Sequence, residues 1–179
     1  MGFLRNAAVT ILLLVVVSGA AAVVLARRGF SARAEPSAVE QFIATRLHRL
    51  SIPAAARTQT NPFAGDPSAW RAAAHHFEDH CAGCHGMDGR GQTAIGRNLY
   101  PKAPDMTASA IQQRPDGELF YIISNGVRFT GMPGWGGEDS SDEIWQLVSF
   151  IRHLPALTPE ELEQTQPADQ APHEHTHDH

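Results

Sequence analysis

Five stretches of the chain carry an ordered pattern of apolar and polar positions, and each predicts a helix. Residues 7–26, AAVTILLLVVVSGAAAVVLA, contain no charged residue, and about 20 apolar residues suffice to cross a bilayer. The run is longer than the ~7–15 residues of a signal-peptide core. A retained anchor is therefore favoured over a leader cleaved after ARA at 32–34. Next, Val39, Phe42, Ile43, Leu47 and Leu50 form a stripe at helical spacing, set opposite Arg46, His48 and Arg49. Asp66 and Pro67 supply a cap and a first-turn proline for a helix reaching about residue 80. A helix from about Asp116 meets a left-handed stop at Asn125-Gly126. In the last, Ile144, Leu147, Val148 and Ile151 recur every three or four residues, with Asp142 and Glu143 at the end that favours negative charge.

The chemistry-bearing stretch follows the third of these patterns. HCAGCHG, residues 80–86, holds both cysteines of the chain, Cys81 and Cys84, with His85 directly after. A structural zinc site usually draws four ligands from two separated pairs, and there is no second cysteine pair. A thioredoxin-like dithiol needs a βαβ setting, whereas WRAAAHHFEDHCAGCHG reads as a helix running into a loop. A disulfide across so short a loop would stabilise little. The spacing fits covalent haem attachment: each thiol adds across one vinyl group, and the next residue, His85, presents its imidazole to the iron.

The opposite face of the iron needs a second ligand or stays open. Methionine opposite histidine is the electron-transfer pairing and raises the reduction potential. Of four methionines, Met1 is the start and Met87 is too near His85. Met132, in the Gly/Pro-rich FTGMPGWGG, is favoured over Met106 in KAPDM, because loops disproportionately carry ligands.

Over residues 66–155 the chain resembles a class I cytochrome c. The parts come in order: a helix ending in CAGCHG, the turn-rich MDGRGQTAIGRNLYPKAPDM, a short helix DGELFYIISNG, the GMPGW loop and the closing helix SDEIWQLVSFIRHL. The resemblance implies an all-α fold of three main helices around one haem c, here behind an N-terminal transmembrane helix. It implies a first and last helix crossing at Ala73, Phe77 and Phe150, and a proline carbonyl holding the proximal imidazole, with Pro104 the better match and Pro101 the alternative. It also implies that Trp135 packs on the haem. Such partners orient a ligand and tune its metal.

These readings divide the chain into an anchor (1–28), an amphipathic helix and linker (29–65), a haem domain (66–155) and an acidic, His-rich tail (156–179). Pro53, Pro62 and the polar residues between them read as a tether. The amphipathic helix is expected either on the membrane surface, basic face to lipid phosphates, or docked on the haem domain.

The net charge of −5 conceals a division. Residues 27–57 hold six arginines against two glutamates, while residues 66–155 hold seven basic and eleven acidic residues. An acidic carrier is steered to basic docking patches. The folded domain shows no basic stripe, which argues against nucleic acid. Arg27, Arg28 and Arg33 outnumber Arg5 and alone would put the domain in the cytoplasm. The resemblance implies haem attachment outside the inner membrane, and so a periplasmic domain. His173, His175, His177 and His179 alternate along the tail, a composition that suits weak copper, zinc or nickel binding. The other histidines, His48, His75, His76, His80 and His153, are read as helix-surface residues.

The expected function is a single-pass, membrane-tethered monohaem electron carrier, not an enzyme, serving redox protein partners and no small-molecule substrate. The alternatives are a subunit of a larger oxidoreductase and a metal-handling protein that works through its tail.

Overall fold

A computed structural model describes residues 2–28 and 31–164 of the chain. It is helical, with no strand among the described residues. It forms two compact units, one ending at Ala32 and one beginning at Arg33. The first unit is the helix α1, Gly2–Arg28, long and apolar enough to cross a membrane. Its side chains, such as Ile11, Leu14 and Val17, stay exposed, as a single helix with no protein neighbour in its unit requires.

The second unit runs through α2 (Ala38–Ser51), α3 (Ala54–Arg57), α4 (Pro67–His80), α5 (Ala82–His85), α6 (Ser109–Gln112), α7 (Asp116–Asn125), α8 (Ser141–His153) and α9 (Pro159–Gln164). The expected starts and stops hold. Asp66 accepts from the Ser68 amide at the head of α4, with Pro67 in the first turn. Ser140 and Glu143 make a capping box on α8, satisfying amides that the helix itself leaves free. Gly126, at φ +65°, ends α7.

The core sits where α4 crosses α8. Phe77 and Phe150 meet there with ring centroids 4.7 Å apart, and Ala73, 2% exposed, lets the two backbones approach. The α8 stripe turns inward completely: Ile144, Leu147 and Val148 are each at or below 1% exposed. Burying a side chain of that size stabilises by about 1.5–3 kcal/mol. α7 joins through the stacked rings of Phe120 and Trp145, centroids 4.2 Å apart. Arg152 pins α8 to the start of α7 and the end of α6, donating to Asp116 at 2.8 Å and to the Gln112 carbonyl at 2.8 Å.

Two parts of the segment before α4 differ from expectation. Residues 52–65 are not a free tether. Ile52, Ala56 and Asn61 are buried, and Asn61 donates to the Trp145 carbonyl at 3.1 Å and the Ser149 hydroxyl at 2.9 Å on α8. α3 lies so close to α7 that a Cβ on Gly117 would fall 1.9 Å from the Ala56 carbonyl oxygen. Proline and polar residues look alike in a tether and in a docked loop; the buried hydrogen bonds of Asn61 decide between them.

The second difference is in α2. None of its residues is buried, so its apolar stripe does not dock on the haem domain. What faces the domain is its polar edge: Tyr100 donates to Glu40 at 3.2 Å, Lys102 pairs with Glu35 just before the helix, and His48 is half-buried. Arg46 is not opposite the stripe either. Its guanidinium lies over the Phe42 ring, 5.1 Å from the centroid, because residues four apart share a helix face.

Candidate functional site

α4 delivers the cysteine motif. Its last turn passes through Cys81 into the short α5, where the His85 and Gly86 amides donate to the Cys81 and Ala82 carbonyls at 2.9 and 2.8 Å. This turn puts Cys81, Cys84 and His85 on one wall of a cavity of about 370 Å³. The other walls are largely apolar, built from Phe77, Leu119, Ile123, Leu147 and Ile151 beneath and Leu99, Val127, Met132 and Trp135 around.

The loop after α5 folds back behind the histidine. The Gly91 amide donates to the His85 carbonyl at 2.6 Å, the Thr93 hydroxyl to the Cys84 carbonyl at 3.0 Å, and the Ala103 amide to the Gly96 carbonyl at 3.0 Å. This brings Pro104 to His85, and it is the Pro104 carbonyl, not that of Pro101, that acts on the imidazole. Burial lowers the His85 pKa, and the Pro104 carbonyl opposes that shift. The ring is thus kept neutral, the form that binds a metal. Its Nδ1 is buried without a hydrogen bond of good geometry, although the Pro104 carbonyl is the backbone acceptor that acts on it.

Both thiols are free. Burial pushes the Cys81 thiol up to about 12, helped by the Asp139 carboxylate and by Cys84. Burial thus disfavours the Cys81 thiolate that a reactive dithiol uses, and the described residues hold no strand for a βαβ setting.

Met132 is placed by main-chain bonds from its loop to the end of α7. The Val127 amide donates to the Met132 carbonyl at 3.1 Å, and the Trp135 and Gly136 amides donate to the Ile123 and Ser124 carbonyls at 3.0 and 2.9 Å. The Thr130 hydroxyl accepts from the Met132 amide at 3.1 Å. Gly126 is what permits this closeness, since a Cβ there would lie 2.5 Å from the Pro133 carbonyl carbon. Met132 is half-buried on the cavity wall, whereas Met106 reaches the same cavity from within the hydrophobic core, at 8% exposed. Trp135 lies at the cavity edge beside His80, ring centroids 4.8 Å apart.

The histidines divide. His75 is exposed near Glu78 and Asp79, and His153 stacks on Trp70 with centroids 3.9 Å apart. His76 lies 3.1 Å from Asp139. His48, read from the sequence as a surface residue, is half-buried at the cavity, whereas His80 is exposed as expected and reaches the cavity edge. Arg114 carries no motif in the sequence. It also lines the cavity, pairs with Glu118 at 2.9 Å, and keeps a buried Nε with no partner. Only its place two residues before a helix could have flagged it. His173, His175, His177 and His179 lie outside the described residues, and no cluster of three or more metal-binding side chains occurs among those described.

A large apolar cavity with two free thiols, a neutral imidazole and a thioether on its walls, and orphaned polar nitrogens at His85 and Arg114, fits a covalently held haem. Residues 68–151 match the family model of the cbb3-type cytochrome c oxidase subunit III. The cbb3-type cytochrome c oxidase subunit FixPc of Rhizobium leguminosarum bv. viciae is 33% identical over 90 residues, 50% of this chain. The match spans 29% of that relative's length. Among solved structures, cytochrome cL from the marine methylotrophic bacterium Methylophaga aminisulfidivorans aligns over 78% of this chain and 85% of its own, with 22% identity and a TM-score of 0.42.

Proposed function

We propose that this chain, which carries a class I monohaem c-type cytochrome domain, is a membrane-tethered carrier of single electrons between redox proteins. The observation that carries the reading is the convergence of Cys81, Cys84, His85 and Met132 on one apolar cavity. In it, Cys81 and Cys84 would hold haem c covalently, and His85 and Met132 would supply the ligands to its iron. Haem c, once bound, supplies one-electron exchange between Fe(II) and Fe(III).

The protein's own residues set how that exchange runs. The Pro104 carbonyl orients His85, and Trp135 closes the cavity edge. Met132, held by the α7 loop, raises the reduction potential. With His85 and Met132 both engaged on the iron, no open site would remain for a substrate, which supports a carrier rather than an enzyme. The acidic haem domain suits donors and acceptors with basic docking patches. The helix α1 supports a single-pass membrane protein; placing its haem domain in the periplasm follows the cytochrome c resemblance, against the arginine count. Copper, zinc or nickel binding by the C-terminal histidines rests on composition alone.

A second reading, a cytochrome subunit of a larger oxidoreductase, is favoured by the match to the cbb3-type subunit III model. Purification in mild detergent separates the two: a carrier emerges alone, a subunit with its complex.

The test of the haem reading is covalency. The wild-type chain should keep its haem through denaturing electrophoresis and show a c-type reduced spectrum, and Cys81→Ala with Cys84→Ala should lose both. Haem that stays on the double variant overturns the reading.

A further inference from the structure

The haem reading leaves the apolar face of α2 unused. Val39, Phe42, Ile43, Leu47 and Leu50 are between 50% and 81% exposed, although the helix is firmly specified, with a Ser37–Glu40 capping box at its head. A contiguous apolar strip of this kind on a soluble surface marks an interaction site. One edge of the helix is engaged: Glu40 with Tyr100, and Thr45 and His48 at the cavity wall. The stripe is thus turned away from the domain by contacts on the helix's other edge.

Three observations identify the occupant. The only acidic residue of α2, Glu40, is held by its own cap and by Tyr100. The charges left beside the stripe are Arg46, lying over Phe42, and the exposed Arg49. An apolar strip that carries Arg46 over Phe42 and Arg49 beside it, with no unengaged acidic residue on the helix, suits a layer of acyl chains beneath anionic headgroups. The third observation is reach. α1 ends at Arg28 and α2 begins at Ala38, a connection of at most about 35 Å when fully extended. The stripe cannot leave the neighbourhood of the bilayer that α1 is suited to cross.

We propose that α2 is an interfacial helix: Val39, Phe42, Ile43, Leu47 and Leu50 enter the acyl region of the bilayer, and Arg46 and Arg49 bind lipid phosphates. The same helix then covers the haem cavity with its Thr45–His48 edge, so the domain is seated on the membrane by a second, independent contact. The proposal rests on the anchor reading of α1 and not on the ligation of the haem.

The test uses the full-length holoprotein with a protease site inserted after Gly29, reconstituted into vesicles of phosphatidylcholine and phosphatidylglycerol. Cleavage cuts the domain from α1, and haem absorbance follows its partition on sedimentation. The cut domain should stay with the vesicles and come off in part at high salt, which screens the arginines. Phe42→Ser with Leu47→Ser should lower its partition about tenfold or more, as expected for losing two large apolar anchors, with the haem spectrum unchanged. Complete release of the wild-type domain on cleavage overturns the proposal, as does equal retention of the double variant. A released domain that sediments as a dimer assigns the stripe to a second copy instead. Failure of the uncut chain to join vesicles overturns the anchor reading and this proposal with it.

Discussion

Helices α2 and α8 are written in the same idiom and meet opposite fates. Each opens with a serine and a glutamate three residues on in a reciprocal cap, Ser37–Glu40 and Ser140–Glu143. Each carries aliphatic residues at three- and four-residue spacing. On α8 the stripe is the centre of the core, with Val148 wholly buried; on α2 it faces outward, with Leu50 81% exposed. Amphipathic periodicity states that a helix has an apolar side. What that side meets depends on what the remaining elements have already filled. Here α4 and α7 take the inner side of α8, while polar bonds from Tyr100 and the cavity wall take the inner edge of α2.

The sharpest way to break this comparison is to cut the same side chain from both helices. Ile144→Ala, at a site 1% exposed, should destabilise the holoprotein by about 2–5 kcal/mol in guanidinium unfolding. Ile43→Ala, at a site 50% exposed, should stay within about 0.5 kcal/mol in detergent-free solution conditions that leave α2 unburied. Equal losses would mean that α2 packs on protein as α8 does.

The two methionines extend the contrast between core and edge. Met106→Ala should cost about 2 kcal/mol or more of stability and leave the optical spectrum of the oxidised holoprotein intact. Met132→Ala should abolish the thioether–iron absorption, lower the reduction potential and open the iron to carbon monoxide. Exchanged outcomes exchange the assignments. If neither variant changes the spectrum, a histidine is the distal ligand, and His48 and His80 are the candidates that the cavity offers.

Smaller effects should come from the caps. Ser140→Ala should cost about 1 kcal/mol of global stability, whereas Ser37→Ala should only speed amide exchange in the first turn of α2. Acid should reproduce the difference. The side-chain and backbone hydrogen bonds of the capping serines hold Glu143 and Glu40 below the ordinary carboxylate pKa. A depressed carboxylate contributes stability that is full above its unfolded value, about 4.3, and is lost as pH falls through the lower folded value. Below about pH 4, α8 should lose its cap at a cost to the whole domain, and α2 should fray alone. Amide exchange followed by mass spectrometry distinguishes the two.

Much of this protein follows from its sequence alone, because the relevant physics is local. The uncharged run of α1, the Asp66–Pro67 start of α4, the Asn125-Gly126 stop of α7 and the α8 stripe each depend on neighbours within about a turn. Cys81, Cys84 and His85 are equally local, since one turn of helix brings them to one wall. Tertiary structure alone decided what depends on distant partners. Asn61 turned an apparent tether into part of the domain through bonds to α8 more than 80 residues away. Arg114 and His48, on separate segments, meet at the cavity only in the folded chain. The α2 stripe was legible as a stripe, but its direction was not. Side-chain period is fixed by the helix itself, whereas the face that becomes buried is fixed by competition among all the surfaces of the fold.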